Sequence, residues 1–304
     1  MSGVSLRLMK EDDIKHVIEW TSDEEWAITE FDLGVFRACH PQDFFVAEIE
    51  GKPVGSISAI RNDDNTGMLG TFIMKKDLRG KGIGRVLLKK ALEHLEIKKG
   101  VRLSGLSGRE AVVPSYVKYG FTNCVWNVII YGGKVDVPKV MNFSSIDGVE
   151  VIRITNDNLD LLLSYDKNIQ TISNRRQYFE EYLKEDSNVI CVAVKGHEGD
   201  SQVLGMAMAT PAAAGWGSAI HPFYADSQDI AKVIFRYLLE NQPNVSQGVY
   251  FDTIEPNAQN VAGFMSAIGI NGAQHSLKRQ YTGKEISTCY DKIYGLSNTD
   301  LHLF

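Results

Sequence analysis

The stretch Met74-Lys75-Lys76-Asp77-Leu78-Arg79-Gly80-Lys81-Gly82-Ile83-Gly84-Arg85 sets three alternating glycines among five basic residues. Before it, Met68-Leu69-Gly70-Thr71-Phe72-Ile73-Met74 has the apolar and β-branched character of a strand. After it, Ile83, Val86, Leu87, Ala91, Leu92 and Leu95 recur at helical spacing. The order is therefore strand, glycine turn, helix. A first helical turn carries N–H groups without intrahelical partners, at the positive end of the macrodipole. Glycines let an anion approach those donors, which makes such a turn a phosphate cradle. Arg79, Lys81 and Arg85 lie near the same terminus, where a cation is unfavourable by roughly 0.3 to 1 kcal/mol unless an anion compensates it. A surface turn beside a solvated basic face would explain the glycines alone, but not strand, turn and helix together. The combination predicts a polyanionic ligand.

Spacing excludes the other common phosphate motifs. A Walker loop needs G-x-x-x-x-G-K-[ST], and neither Gly51-Lys52 nor Gly80-Lys81 supplies it. A G-x-G-x-x-G fingerprint would need glycine at Arg85 or at Leu87. The pattern that fits is [RQ]-x-x-G-x-[GA], filled by Arg79, Gly82 and Gly84. It resembles the pyrophosphate-binding signature of the GNAT acyltransferase superfamily. Downstream, Val113-Pro114-Ser115-Tyr116-Val117-Lys118-Tyr119-Gly120-Phe121 resembles that family's late helix, ending in Y-x-K-x-G-F. Gly120 is a natural C-cap, and Phe121 opens a strand expected over Asn123 to Tyr131.

The resemblance covers about residues 4 to 131, and it implies acetyl-CoA as co-substrate. It implies that Phe72, Ile73 and Met74 face the pantetheine arm where the cradle strand splays from its parallel neighbour. Arg79, Gly80, Lys81, Gly82, Ile83, Gly84 and Arg85 would form the pyrophosphate site. Tyr116 takes the position of the tyrosine that protonates the departing CoA thiolate, with Tyr119, next to the cap, the weaker candidate. A phenol with an ordinary pKa of about 10 is a plausible acid for a leaving thiolate. Many relatives carry asparagine seven residues before that tyrosine. Here the position is Arg109, a candidate partner for CoA phosphate.

The first half reads as strand Ser5 to Leu8, helices within Asp12 to Phe36, strands Phe44 to Ile49 and Val54 to Arg61, the cradle strand and helix, then strand Val101 to Leu106. The second half reads as a worn copy. Glu150 to Thr155 and Asn158 to Tyr165 echo the opening strand and helix, Val189 to Val194 and Val203 to Thr210 the central hairpin across the turn 196–200, and Asn257 to Gly269 the Gly-Phe helix. Where the cradle should stand is Ile220-His221-Pro222-Phe223-Tyr224-Ala225-Asp226-Ser227-Gln228-Asp229, with no glycine turn and two carboxylates at the helix mouth. Met265 stands near the place of Tyr116, and a thioether donates no proton.

The expected fold is α/β with mixed sheets (α+β), in two GNAT-like domains in tandem, each a central mixed sheet flanked by helices. The expected boundaries are 1–135 for the acetyl-CoA-binding domain, 136–148 for a linker and 149–304 for a degenerate domain that has lost CoA binding. Net charge −6 disfavours nucleic acid as a partner. No apolar run reaches a membrane span and the N-terminus has no signal-like apolar region, so a cytoplasmic location is expected. Four isolated cysteines and seven histidines suggest neither disulfides nor a metal site. Gly105-Leu106-Ser107-Gly108-Arg109 ends in arginine, so it is no serine-hydrolase elbow.

The acceptor is a small-molecule or peptide amine by the family resemblance. Trp20, Asp23, Glu24, Glu25, Trp26, Glu30, Phe31, Asp32 and Phe36 form an acidic, aromatic run that is a candidate for holding it, or else the solvated face of an amphipathic helix. The expected reaction is N-acetylation by direct attack in a ternary complex, since no activated cysteine or serine is visible. The alternative is a catalytically inactive acyl-CoA-binding interaction or regulatory protein. The general base and the oligomeric state are not legible.

Overall fold

The computed structural model describes residues 3–100, 103–170, 175–184, 189–196, 202–213, 215–300 and 302, with Lys98 by its backbone only. The chain divides into two compact units. The first comprises residues 1–125, 278–285 and 299–303, and the second 126–277, 286–298 and 304.

In the first unit the order is β1 (Val4–Leu8), α1 (Ile14–Ser22), α2 (Glu30–Cys39), β2 (Phe44–Ile49), β3 (Lys52–Arg61), β4 (Thr66–Met74), α3 (Ile83–His94), β5 (Leu103–Gly108) and α4 (Val113–Val117). Thr29 and Asp32 form a reciprocal capping box that starts α2. Strands β1 to β4 pair antiparallel in sequence order, and β4 pairs parallel with β5. The inner faces of β2, β3 and β4 bury Phe45, Ala47, Ile57, Ala59 and Leu69 against Ile83, Leu87, Leu88, Ala91 and Leu95 around α3. Each such aliphatic side chain contributes about 1.5 to 3 kcal/mol of burial.

One buried carboxylate ties three ends of this unit together. Asp43 accepts from the Arg61 amide at 3.0 Å, meets His94 Nε2 at 2.7 Å and lies 3.5 Å from His40 Nδ1. Burial alone would raise the Asp43 pKa, but its bonds with His40, His94 and the Arg61 amide outweigh burial and hold the carboxyl well below the usual range. A depressed folded pKa gives stability that is present above the unfolded value of about 3.9 and is lost as pH falls below it. Asp43→Asn should therefore cost about 1.5 to 3 kcal/mol at pH 7. In urea denaturation the gap between wild type and variant should hold from pH 7 to pH 5 and narrow progressively as pH falls below about 4. A gap that does not narrow below pH 4 would refute this account.

The second unit continues with β6 (Asn123–Gly133), α5 (Val137–Met141), β7 (Val149–Arg153), α6 (Leu159–Ile169), α7 (Arg176–Tyr182), β8 (Ile190–Gly196), β9 (Val203–Pro211), β10 (Ser218–Ala225), α8 (Gln228–Asn241), β11 (Val249–Ile254), α9 (Ala258–Ala267), β12 (His275–Tyr281) and β13 (Ile293–Gly295). Its sheet runs β7, β8, β9, β10, β11 and the 126–133 part of β6, with β10 and β11 parallel and the other pairs antiparallel. The core gathers Ile220, Phe223, Ile234, Phe235, Phe251 and Phe264. A buried Arg175–Asp166 ion pair lies under α6, with Tyr224 beside the guanidinium. The expected turn at 196–200 falls mostly outside the described residues.

The boundary expected at 136–148 is corrected. Residues 137–141 form α5, and Val140 is fully buried in the second core. The strand expected to close the first domain pairs instead with β11, from Val128↔Ile254 to Gly133↔Val249. In the first unit the edge of β5 is taken by Lys278–Tyr281 of β12. Each unit thus completes its sheet with a strand from the other half of the sequence. Both strands follow a helix that ends in Gly, so local pattern does not distinguish which sheet each joins.

Candidate active site

Two of the three cradle glycines set the turn and the third sets the approach. Gly80 and Gly82 have φ of +74° and +81°, the left-handed region that side chains resist. Gly82 is the N-cap of α3, and no side chain caps that helix. The Arg85 amide donates to the Gly82 carbonyl at 3.2 Å, and the amides of Ile83 and Gly84, with no side-chain cap, are left for solvent or a ligand. A Cβ on Gly84 would stand 3.2 Å from Phe72 Cζ and 3.5 Å from Met74 Cγ, so glycine lets α3 lie close against the end of β4. Ile83 is buried beside them. Lys81 and Arg85 are exposed, and neither forms an ion pair among the described residues.

Arg79 turns out to be otherwise engaged. Its Nε donates to the Met74 carbonyl at 3.0 Å, and its Nη1 to Glu24 at 2.6 Å. Glu24 also lies 3.9 Å from Arg109, which is well exposed. The Arg79 guanidinium, followed by burial acting in the opposite sense, leaves the Glu24 carboxyl below its usual pKa. The side chain of Arg79 therefore pins the turn to the strand, and the Met74 carbonyl, expected to be open to ligand, is already occupied. Arg109 shares the same acid.

The splay is present in the backbone. The rungs between β4 and β5 run from Thr66↔Leu103 to Leu69↔Leu106 and stop, although β4 continues to Met74 and β5 to Gly108. The pairing of β4 with β3 shifts register between Ser56 and Ser58, where Thr71 has φ +43°. Such a bulge bends the strand away from its parallel neighbour. Phe72 and Ile73 lie on the diverging part.

Tyr116 sits beside the end of β5. Its ring meets Phe121 edge-on at 6.4 Å, and its Cε2 lies 3.4 Å from where a Cβ of Gly108 would be. Gly120 at φ +101° ends the helix, and Phe121 is fully buried. Burial first, and the charge of Asp300 second, push the Tyr116 hydroxyl up to about 12. Asp300 comes from the segment 299–303 that belongs to this unit. No motif marks it, because its place depends on where the end of the chain folds back. Tyr119 packs against the same core.

The acidic run is used mostly for structure. Trp20 and Phe36 are buried, Asp32 serves the capping box and Glu24 serves Arg79. Asp23, Glu25, Glu30 and Phe31 stay exposed.

The corresponding region of the second unit is built differently. Ser227 caps α8 by accepting from the Ile230 amide. Asp226 accepts from Tyr165 at 2.7 Å and pairs with Lys292 at 2.8 Å, while Asp229 pairs with Lys232 at 2.9 Å. Met265 is buried in the core. Between β10 and β11 Ser218 pairs with Val249 and Ala219 with Tyr250, and farther along β10 pairs with β13 through Phe223↔Gly295 and Tyr224↔Ile293. The Leu296 amide then donates to the Asp252 carbonyl of β11 at 2.7 Å. The gap that opens between the parallel strands is filled by the chain itself.

Among the described residues no cluster of His, Cys, Asp and Glu is arranged to hold a metal, and no helix is long and apolar enough to cross a membrane.

Residues 11–121 match the acetyltransferase (GNAT) family. The holothin acyltransferase of Pseudoalteromonas sp. (strain SANK 73390) is 27% identical over 295 residues, which span 93% of this chain and 91% of that protein. Among solved structures, a proposed acetyltransferase from Pyrococcus horikoshii superposes with a TM-score of 0.76 at 16% identity, covering 99% of this chain and 96% of that one. A tandem GNAT protein from the clavulanic acid biosynthesis pathway superposes with a TM-score of 0.60 at 12% identity, covering 93% of this chain and 100% of that one. With the glycine turn, the uncapped helix and the splayed strands in its first unit, residues 11–121 are a domain of the GNAT acetyltransferase family, and the fold of the whole chain is similar to that of a tandem GNAT protein.

Proposed function

We propose that the protein is an N-acetyltransferase that takes acetyl-CoA in its first unit and transfers the acetyl group to a small-molecule or peptide amine. The observation that carries this reading is the mouth of α3. There, the Ile83 and Gly84 amides, without a side-chain cap, lie between Lys81 and Arg85, at the end of a strand that has parted from its neighbour. A pyrophosphate would satisfy the donors and offset the two misplaced cations. The pantetheine arm would pair with backbone of β4 around Phe72 and Ile73, which brings the thioester toward Tyr116. The neutral amine nitrogen attacks the thioester carbonyl, the C–S bond breaks, the Tyr116 hydroxyl gives its proton to the sulfur, and the proton lost by the nitrogen restores the phenol. Strand N–H groups near the carbonyl would stabilise the oxyanion. With its pKa raised to about 12, the phenol holds its proton throughout the physiological range, as a donor must.

Acetyl-CoA incubated with a panel of primary amines should release free CoA in an amine-dependent way. Isothermal titration should give one acetyl-CoA per chain, because Ser227 caps α8 and β13 fills the second gap. Two sites of comparable affinity would contradict the reading of the second unit. Tight binding without CoA release to any amine would favour the other reading, an acyl-CoA-binding regulatory protein.

A further inference from the structure

The chain reverses sharply after α1. The Glu24 amide donates to the Thr21 carbonyl at 3.0 Å, the Glu25 amide to Ser22 at 3.1 Å and the Trp26 amide to Thr21 at 3.1 Å. Glu25 has φ of +60°, the left-handed region that a side chain resists, and no glycine relieves it. The reversal carries Glu24 to the glycine turn. There its carboxylate accepts from Arg79 Nη1 at 2.6 Å and lies 3.9 Å from Arg109 Nη1. Among the described residues, no other side chain of 23–28 forms a hydrogen bond or an ion pair. One carboxylate therefore ties the α1–α2 connection to the turn before α3, and it holds a strained backbone in place as it does so.

We propose that Glu24 is an internal counter-ion that the donor's phosphates displace, so that filling the mouth of α3 frees the 23–28 connection. This rests on the reading of that mouth as the acyl-CoA site. Arg79 lies three residues before Gly82, and the open amides of Ile83 and Gly84 follow directly. A pyrophosphate on those amides brings at least two negative charges beside a guanidinium that now shares one carboxylate with Arg109. Phosphate and carboxylate pair with a guanidinium in the same planar geometry, and the site holds the carboxylate only until the more highly charged anion arrives. Left in place, Glu24 would oppose that anion across Arg79.

In the exchange the Arg79–Glu24 contact breaks and a phosphate oxygen takes the guanidinium. The bond from Arg79 Nε to the Met74 carbonyl, at 3.0 Å, keeps the side chain on the turn throughout. Glu24 passes to water, and the left-handed Glu25 loses the tie beside it. The consequence falls on the acidic, aromatic run, because Asp23, Glu25 and Trp26 ride on the freed segment. The coupling is reciprocal: whatever draws Glu24 off Arg79 strengthens donor binding by the factor by which the donor loosens the connection.

The test is isothermal titration of acetyl-CoA into wild type and Glu24→Gln, with amide hydrogen exchange followed over residues 23–28. The variant keeps the shape of the side chain and removes its charge, so acetyl-CoA should bind roughly tenfold more tightly at low salt. Glu24 is 21% exposed, Arg79 38% and Arg109 62%, so the advantage should shrink as salt screens them. In wild type, exchange at 23–28 should quicken when acetyl-CoA binds. Free CoA should have the same effect, because the displacement takes place at phosphate. In the variant, exchange should be fast from the outset and indifferent to ligand. Equal or weaker binding in the variant would overturn the proposal. So would wild-type exchange that slows or stays constant on binding, or a response to acetyl-CoA that free CoA does not reproduce. Should the variant not fold, the wild-type exchange measurement decides alone. A wild type that binds acetyl-CoA without loosening 23–28 removes the role of Glu24 only. A wild type that binds no acetyl-CoA removes the donor-site reading, and this inference with it.

Discussion

Tyr116→Phe should lower kcat by roughly 10²- to 10⁴-fold while leaving acetyl-CoA affinity unchanged, because only the transferable proton is removed. The ring keeps its edge-on contact with Phe121 and its place beside Gly108, so the thermal midpoint should also hold. The measurement is single-turnover acyl transfer with the amine that gives the fastest CoA release. The same experiment has a pH signature. Burial and Asp300 push this hydroxyl up to about 12, so its ionisation should not curtail activity anywhere between pH 6 and pH 9. Turnover equal to wild type where chemistry limits the rate would remove Tyr116 from the mechanism.

Replacing Lys81 and Arg85 together by glutamate should weaken acetyl-CoA binding by two or more powers of ten. Each charge-assisted contact to phosphate contributes about 1.5 to 3 kcal/mol, and 1.4 kcal/mol is a factor of ten. Both side chains are exposed and form no ion pair among the described residues, so the fold should tolerate the change. A glycine replacement is a poorer test. A side chain at Gly84 meets Phe72 at 3.2 Å, which mixes lost binding with disturbed packing. Ligand that binds only the native state adds RT ln(1 + [L]/Kd), about 2.7 kcal/mol at one hundred times Kd. Wild type should show a thermal shift of that kind with acetyl-CoA, and the double variant should lose it. An unchanged shift would refute the cradle.

Much of this was legible in the sequence where the signal is local. The glycine spacing pointed to the turn, Gly82 has the left-handed φ that such a turn needs, Gly84 lies close against Phe72 and Met74, and strand Phe44–Ile49 lies where its apolar run placed it. What the sequence hid is long-range. The pattern of Arg79 does not say that its guanidinium faces Glu24 and Met74, since that depends on how the α1–α2 connection folds back. The exchange of β6 and β12 escapes periodicity because both follow the same kind of helix end and β12, His275–Tyr281, is too polar to stand out as a strand. Residues 293–295 are too short to stand out as a strand, and they earn that conformation only from the gap between β10 and β11. Asp300 is a single acid near the end of the chain, and only the folded chain brings its charge to Tyr116.

The strand Ile293–Gly295 can also be viewed as a tethered competitor. A segment joined to its own cleft by a short connection has an effective concentration in the millimolar range or higher, roughly a thousandfold above a free ligand at micromolar levels. Any molecule entering the second gap must first displace that strand and the Leu296–Asp252 hydrogen bond behind it. A second half that binds no CoA, as proposed here, therefore does not require that its contact surface has decayed. Grafting a glycine cradle and two cations onto the mouth of α8 would leave the gap shut, and only releasing the resident segment would let such a graft bind.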